Sequence, residues 1–229
     1  HHLSALQQFR AGSTAADYAR IAILAWYYGI SNAASAMTAA QSGAFQESHA
    51  GTAQLWDEQI ASRGFAIAPF SWRVSSLVEK TYKSEVSTLR GGSAGKLQAR
   101  PITKGDAQGA AAEYLSGSAK WYADYAKEKV KCKPEFKALG VDDFRTKAAR
   151  ALRDKCLDRK PVGFIHQASR YRGKANYREA LFLAYGLGTE SMLSGFLEDM
   201  YKVLEAFLAM AGAFACRRLG KELWAGFVR

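Results

Sequence analysis

The chain has 229 residues, 48% of them hydrophobic and 12% aromatic. That is enough apolar material for a packed interior, and it excludes a disordered or collagen-like chain. Lys and Arg outnumber Asp and Glu by 32 to 21, a formal net charge of +11, which points toward polyanionic partners. Cys132, Cys156 and Cys216 are odd in number and widely spaced, with no Cys-x-x-Cys pair. They indicate neither a disulfide framework nor a zinc site, and they fit a reducing compartment, so a cytoplasmic location is expected. His1 and His2 read as the remnant of an affinity tag and receive no metal role.

Thr14, with Asp17 three residues on, resembles a capping box opening a helix that runs through Ile21, Leu24, Trp26, Tyr27, Tyr28, Ile30 and Met37 to a break at Gly43. Residues 21–46 carry no formal charge and are long enough to span a bilayer. Ser31, Asn32, Ser35, Thr38, Gln41 and Ser42 interleave with alanines there, which suits a packed helix of a soluble bundle, so no membrane span is expected. A second helix is expected over about 48–62, with Leu55, Trp56 and Ile60 buried. From 63 to 105 the pattern loosens around Pro69, Gly91, Gly92, Gly95 and Pro101. Only 74–89 reads as weakly helical, and the stretch is expected to be a flexible insertion.

Thr103 and Asp106 repeat the capping signal ahead of a helix over 107–131, whose aromatic side is Tyr114, Leu115, Trp121, Tyr122 and Tyr125; Pro134 ends it. Asp142 is the expected N-cap of the next helix, in which Phe144, Ala148, Leu152 and Cys156 form one row and Arg145, Lys147, Arg150 and Arg153 lie off it. A short helix is expected after Pro161, and another over 176–185 that Gly186 and Gly188 break. Thr189 then caps the last helix. Its stripe of Leu193, Phe196, Leu197, Met200, Leu204, Phe207, Leu208, Ala211 and Phe214 reads as bundle core, with a dimer seam as the alternative use. No alternating run suggests a sheet. The expected fold is all-α: one up-and-down helical bundle over 3–229 with a large central insertion.

Between 120 and 178 stand 17 Lys or Arg against 7 Asp or Glu, so this stretch carries +10 of the +11. Such asymmetry is the footprint of phosphate-backbone binding; a solvated helix face and an acidic protein partner are the competing readings. The densest chemistry is Arg170-Tyr171-Arg172-Gly173-Lys174-Ala175-Asn176-Tyr177-Arg178-Glu179. Its cations can hold phosphates, its tyrosines can stack on bases and Asn176 can bond a base edge, a mixture suited to single-stranded RNA. On a helix beginning near Lys174, Lys174 and Arg178 would project together, and Gly173 would admit a close backbone approach. Arg170, Lys174, Asn176 and Tyr177, with Arg145, Arg150 and Arg153, are the candidate RNA contacts. The opposite reading has Tyr171 and Tyr177 in the core. The chain carries no phosphate loop, no Gly-x-Ser-x-Gly elbow and no His-Glu-x-x-His site, and no cofactor or metal is expected. The pairs Asp57-Glu58, Asp142-Asp143 and Glu198-Asp199 diverge on a helix and read as solvated surface.

Two segments together resemble the HEPN superfamily of helical nucleotide- and RNA-associated domains. Residues 25–37, Ala-Trp-Tyr-Tyr-Gly-Ile-Ser-Asn-Ala-Ala-Ser-Ala-Met, followed by His49-Ala50-Gly51, look like the family's tyrosine-rich opening helix and the start of its second. The Arg-rich turn into Asn176-Tyr177-Arg178-Glu179-Ala180-Leu181 sits where the family carries its Arg-containing signature. The likeness covers about half the chain and treats most of 63–162 as an insertion. It implies a homodimeric, metal-independent RNA-binding or RNA-cleaving protein of a bacterial antiviral-defence or toxin–antitoxin system. A catalytically inert subunit that docks a partner protein through the basic patch is the alternative. The family's Arg-x4-6-His motif is absent: after Arg172 the positions where its histidine would stand hold Tyr177, Arg178 and Glu179. Arg172 and Arg178 are the expected phosphate-steadying pair, and His166, four residues before Arg170, is the candidate proton acceptor. His49 reads as a helix-start residue held by a local hydrogen bond.

Overall fold

Helix α1 (Ala15–Ser42) ends where Gly43 takes φ 71°, a left-handed turn that favours glycine. A computed structural model of the chain describes residues 2–4, 15–95, 97, 100–175 and 190–228. The caps read at Thr14 and Thr189, and the helix read over 176–185, lie outside the described residues. Ser48 caps α2 (His49–Trp56), its hydroxyl accepting from the Gly51 amide at 3.0 Å. A π-helical turn, Asp57–Ala61, continues α2. Then follow β1 (Arg73–Val74), α3 (Glu79–Arg90), α4 (Lys104–Lys131), α5 (Pro134–Lys137), α6 (Lys147–Leu157), β2 (Val162–Gly163), α7 (Phe164–Ala175), α8 (Glu190–Leu219) and α9 (Lys221–Val228). Among the described residues strand is limited to one ladder of β1 with β2, and the fold is all-α. No described helix is long and apolar enough to cross a membrane.

The chain divides into two compact units, one of residues 1–72, 97–100 and 163–229, the other of 73–96 and 101–162. In the first unit α1, α2, α7 and α8 enclose a core of Ile23, Tyr27, Ile30 and Met37 from α1, Trp56 and Ile60, Phe70, Ile165, and Leu204 and Phe207 from α8. The α8 stripe lies inward as its spacing requires: Phe196, Leu197, Met200, Leu204, Phe207 and Ala211 are all buried. Phe207 is the hub, its ring within 6.0 Å of Trp56, 5.1 Å of Phe70 and 5.5 Å of Phe164, centroid to centroid. Of the acidic residues read as solvated, one is buried and another is paired at the surface. Asp57 is buried, and Asp199 accepts two bonds from Arg100, at 2.9 and 2.8 Å, the bidentate geometry that favours arginine.

In the second unit α3 packs Tyr82 and Val86 inward and ends at Gly91 in a left-handed cap, φ 56°. Thr103 and Asp106 form the capping box of α4 in both directions. Those bonds, from the Thr103 backbone first and its side chain second, hold the Asp106 carboxyl below its usual range. The cap's contribution is therefore present above the ordinary carboxylate range and fades as pH falls through the lowered value. Val130, Phe136 and Ala149 form a smaller core with Phe144 and Leu152 against it.

Two sequence expectations change here. Helix α6 starts later than Asp142: Thr146 is its N-cap, accepting from the Ala149 amide at 3.2 Å, while Asp143 instead closes a local turn onto the Arg145 amide at 2.9 Å. Thr146→Ala is accordingly expected to cost about 1 kcal/mol in urea unfolding, and Asp142→Ala less than about 0.5 kcal/mol. The aromatic side of α4 is also split. Leu115 is buried, whereas Trp121 and Tyr125 are exposed.

Candidate functional site

Helix α7 carries the basic run, and it is one helix from Phe164 to Ala175, not one starting near Lys174. Its residues therefore part by face. Arg170 and Arg172, two apart, project to roughly opposite sides, whereas His166 and Arg170, four apart, share one. Both are half-buried. His166 accepts from the Gly163 amide through Nδ1 at 3.3 Å, a bond that serves the start of the helix. Tyr171 packs edge-on to Trp26 at 6.0 Å and against Phe196 at 6.3 Å, so it is a core aromatic. A Cβ on Gly173 would meet nothing within 4 Å, so no packing within the described residues requires glycine there. Lys174 lies in the last turn of α7, and Asn176, Tyr177 and Arg178 lie outside the described residues.

Arg172 turns toward α1 and α2. Its guanidinium carbon lies 5.0 Å from the Tyr27 ring centre. The imidazole near it is His49, far away in sequence and the first residue of α2. His49 packs edge-on to Tyr27 at 5.2 Å and tilted against Tyr28 at 5.8 Å. No hydrogen bond closes on His49 among the described residues, so the local bond expected for it is replaced by ring contacts. Burial, and then the Arg172 charge, push His49 below the ordinary histidine value, which keeps the imidazole neutral and basic near pH 7.

Burial raises the Tyr27 phenol, against the pull of the Ser169 and Ser31 hydroxyls and Arg172. Ser169 and Arg172, three apart on α7, both reach Tyr27, as that spacing allows. The two serines influence the phenol, yet no hydrogen bond of good geometry reaches Tyr27 Oη or Arg172 Nε, and both atoms are buried. Buried donors without partners are costly, and the Arg172 guanidinium beside a neutral imidazole suits an oxyanion. Next to them a cleft of about 400 Å³ opens between α1 and the start of α2, lined by Tyr28, Ser31, Asn32, Gln46, Glu47 and His49 among others. His2 stacks on Tyr28 at its edge.

The other basic candidates sit in the second unit and are not equivalent. Arg145 pairs with Asp143 at 3.0 Å while remaining almost fully exposed, and Arg153 is drawn into its own unit by Asp154 at 2.7 Å and the Phe144 ring at 5.8 Å. Arg150 is exposed on α6. Among the described residues no group of three or more His, Cys, Asp or Glu side chains converges as metal ligands would. Comparison of the chain with protein-family models, with curated proteins and with solved structures found no match.

Proposed function

We propose that this chain is a HEPN-like protein that binds single-stranded RNA, and that Arg172, His49 and Tyr28 meet the ribose-phosphate backbone at the mouth of the α1–α2 cleft, with the buried Tyr27 ring behind them. One observation carries the reading: the arginine at the centre of the densest basic run, its own Nε buried without a bond of good geometry, stands over the Tyr27 ring beside a neutral imidazole. Arg172 supplies a planar, permanently charged fork for a phosphate. Neutral His49 can accept the proton of a ribose 2′-hydroxyl, and Arg172 can steady the charge that then develops on phosphorus-bound oxygen. These are the parts a metal-independent cleavage uses, with His49 in the role sequence reading gave to His166. A homodimer and a bacterial antiviral-defence or toxin–antitoxin setting are what the resemblance adds to the proposal.

Labelled single-stranded RNA, with EDTA present, tests the reading on the wild type and on His49→Ala/Arg172→Ala. Salt-sensitive binding that the double variant loses supports it, and metal-free cleavage lost with it extends it to catalysis. Equal binding by both proteins defeats the site. A stoichiometric protein partner that copurifies without nucleic acid favours instead the inert docking subunit.

A further inference from the structure

Trp121, Tyr125 and Lys129 stand at i, i+4 and i+8 on the exposed stripe of α4. The two rings are parallel within 3°, their centroids 5.9 Å apart, and they are 45% and 54% exposed. Lys129 Nζ lies 4.5 Å from the centre of the Tyr125 ring, continuing the stack with a cation. Exposing two such rings forgoes burial that a helix can obtain by turning them inward, as it does with Leu115. The carboxylates on the same side, Asp124 and Glu128, are each engaged by a lysine three residues on, Lys127 and Lys131, both at 2.9 Å. They offer little repulsion to an anion. The unit that holds α4 carries 19 Lys or Arg against 11 Asp or Glu, so +8 of the chain's +11 resides there.

We propose that this ladder is a stacking surface for unpaired bases of single-stranded RNA, with Lys129 and the neighbouring Lys120 and Lys133 on the flanking phosphates. A parallel pair of flat rings ending in a cation matches a base followed by its phosphate, and the positive unit complements the strand. Paired bases hide the faces that this surface needs. An apolar protein partner would need a wider apolar patch than two rings, and the rest of the exposed stripe is charged. The choice of RNA is shared with the reading above, but none of the residues is.

The test uses the full chain and a labelled oligouridine at low salt. Trp121→Ala/Tyr125→Ala is expected to weaken binding about tenfold or more, with an unchanged helical spectrum. Trp121→Phe keeps a ring and is expected to retain binding. It should reduce the RNA-induced quenching of tryptophan fluorescence by the share that comes from Trp121, the most exposed of the five tryptophans; Trp26 and Trp56 are buried and Trp72 and Trp224 half-buried. Wild-type affinity in the folded double variant overturns the ladder, as does loss of a protein partner in that variant with RNA binding unchanged. Binding kept by His49→Ala/Arg172→Ala but lost here sinks the cleft reading and leaves the ladder standing; the reverse pattern does the opposite.

Discussion

Phe207→Ala is expected to lower stability by about 3–5 kcal/mol, read as a shift of the urea midpoint. The Phe207 side chain is fully buried and its ring meets Trp56, Phe70 and Phe164, which come from α2, the segment after it, and α7. Truncation removes the transfer energy of the ring, leaves a cavity among three large aromatics, and forfeits aromatic contacts worth about 0.5–1.5 kcal/mol each. Rings so large relax poorly into the space, which puts the loss toward the upper end. Against a typical total of about 5–15 kcal/mol this is a large fraction. Tyr125→Ala, on an exposed helix face, should stay within about 0.5 kcal/mol of wild type. A small loss for Phe207→Ala would mean that the four helices of this unit do not share one core.

Arg172→Ala carries the largest functional effect, an expected loss of about ten- to a hundredfold in RNA affinity with the salt dependence shallower by about one phosphate contact. Arg172→Lys keeps the charge and loses the fork, so it should fall between the two. The pH profile adds a second signature. His49 is held below the ordinary histidine value, so the imidazole is neutral at pH 7 and gains its charge only on the acid side. RNA affinity should rise as pH falls through that lowered value, and His49→Ala should flatten the rise. Stability moves the other way: the unfolded chain takes up the proton first, so the fold loses stability from the ordinary histidine value down to the lowered one. Tyr27, Tyr28 and Arg172 face His49, and Glu47 lines the same cleft.

Local chemistry was legible along the chain wherever one residue type decided the outcome. Gly43 ends α1, Ser48 starts α2, the Thr103–Asp106 box opens α4, and the α8 stripe is buried because a three- and four-residue period permits little else. Misreadings arose where two residues could do the same job. Asp142 and Thr146 are both good N-caps, and Asp143 turning onto Arg145 leaves the cap to Thr146. A helix beginning near Lys174 is the sequence expectation, yet Gly173 is carried inside α7, since one glycine costs a helix only about 1 kcal/mol. Trp121 and Tyr125 read as part of one aromatic side of α4; which of its rings are exposed depends on which α4 face meets α3 and α6, and composition does not encode that. The candidate site was the least legible. Arg172 stood out by charge density, but its imidazole neighbour comes from the far end of the sequence. Nearness in sequence favours His166 over His49, although burial and the Arg172 charge are what lower the proton affinity of His49.

The most direct measurement of the central claim follows the His49 imidazole by NMR across pH, with EDTA present, in the free chain and at saturating single-stranded RNA. The account predicts a resonance assigned by its absence in His49→Ala, titrating below the ordinary histidine value in the free chain and moving upward when a phosphate settles beside it and Arg172. Bound RNA that leaves the His49 titration unchanged would contradict the account.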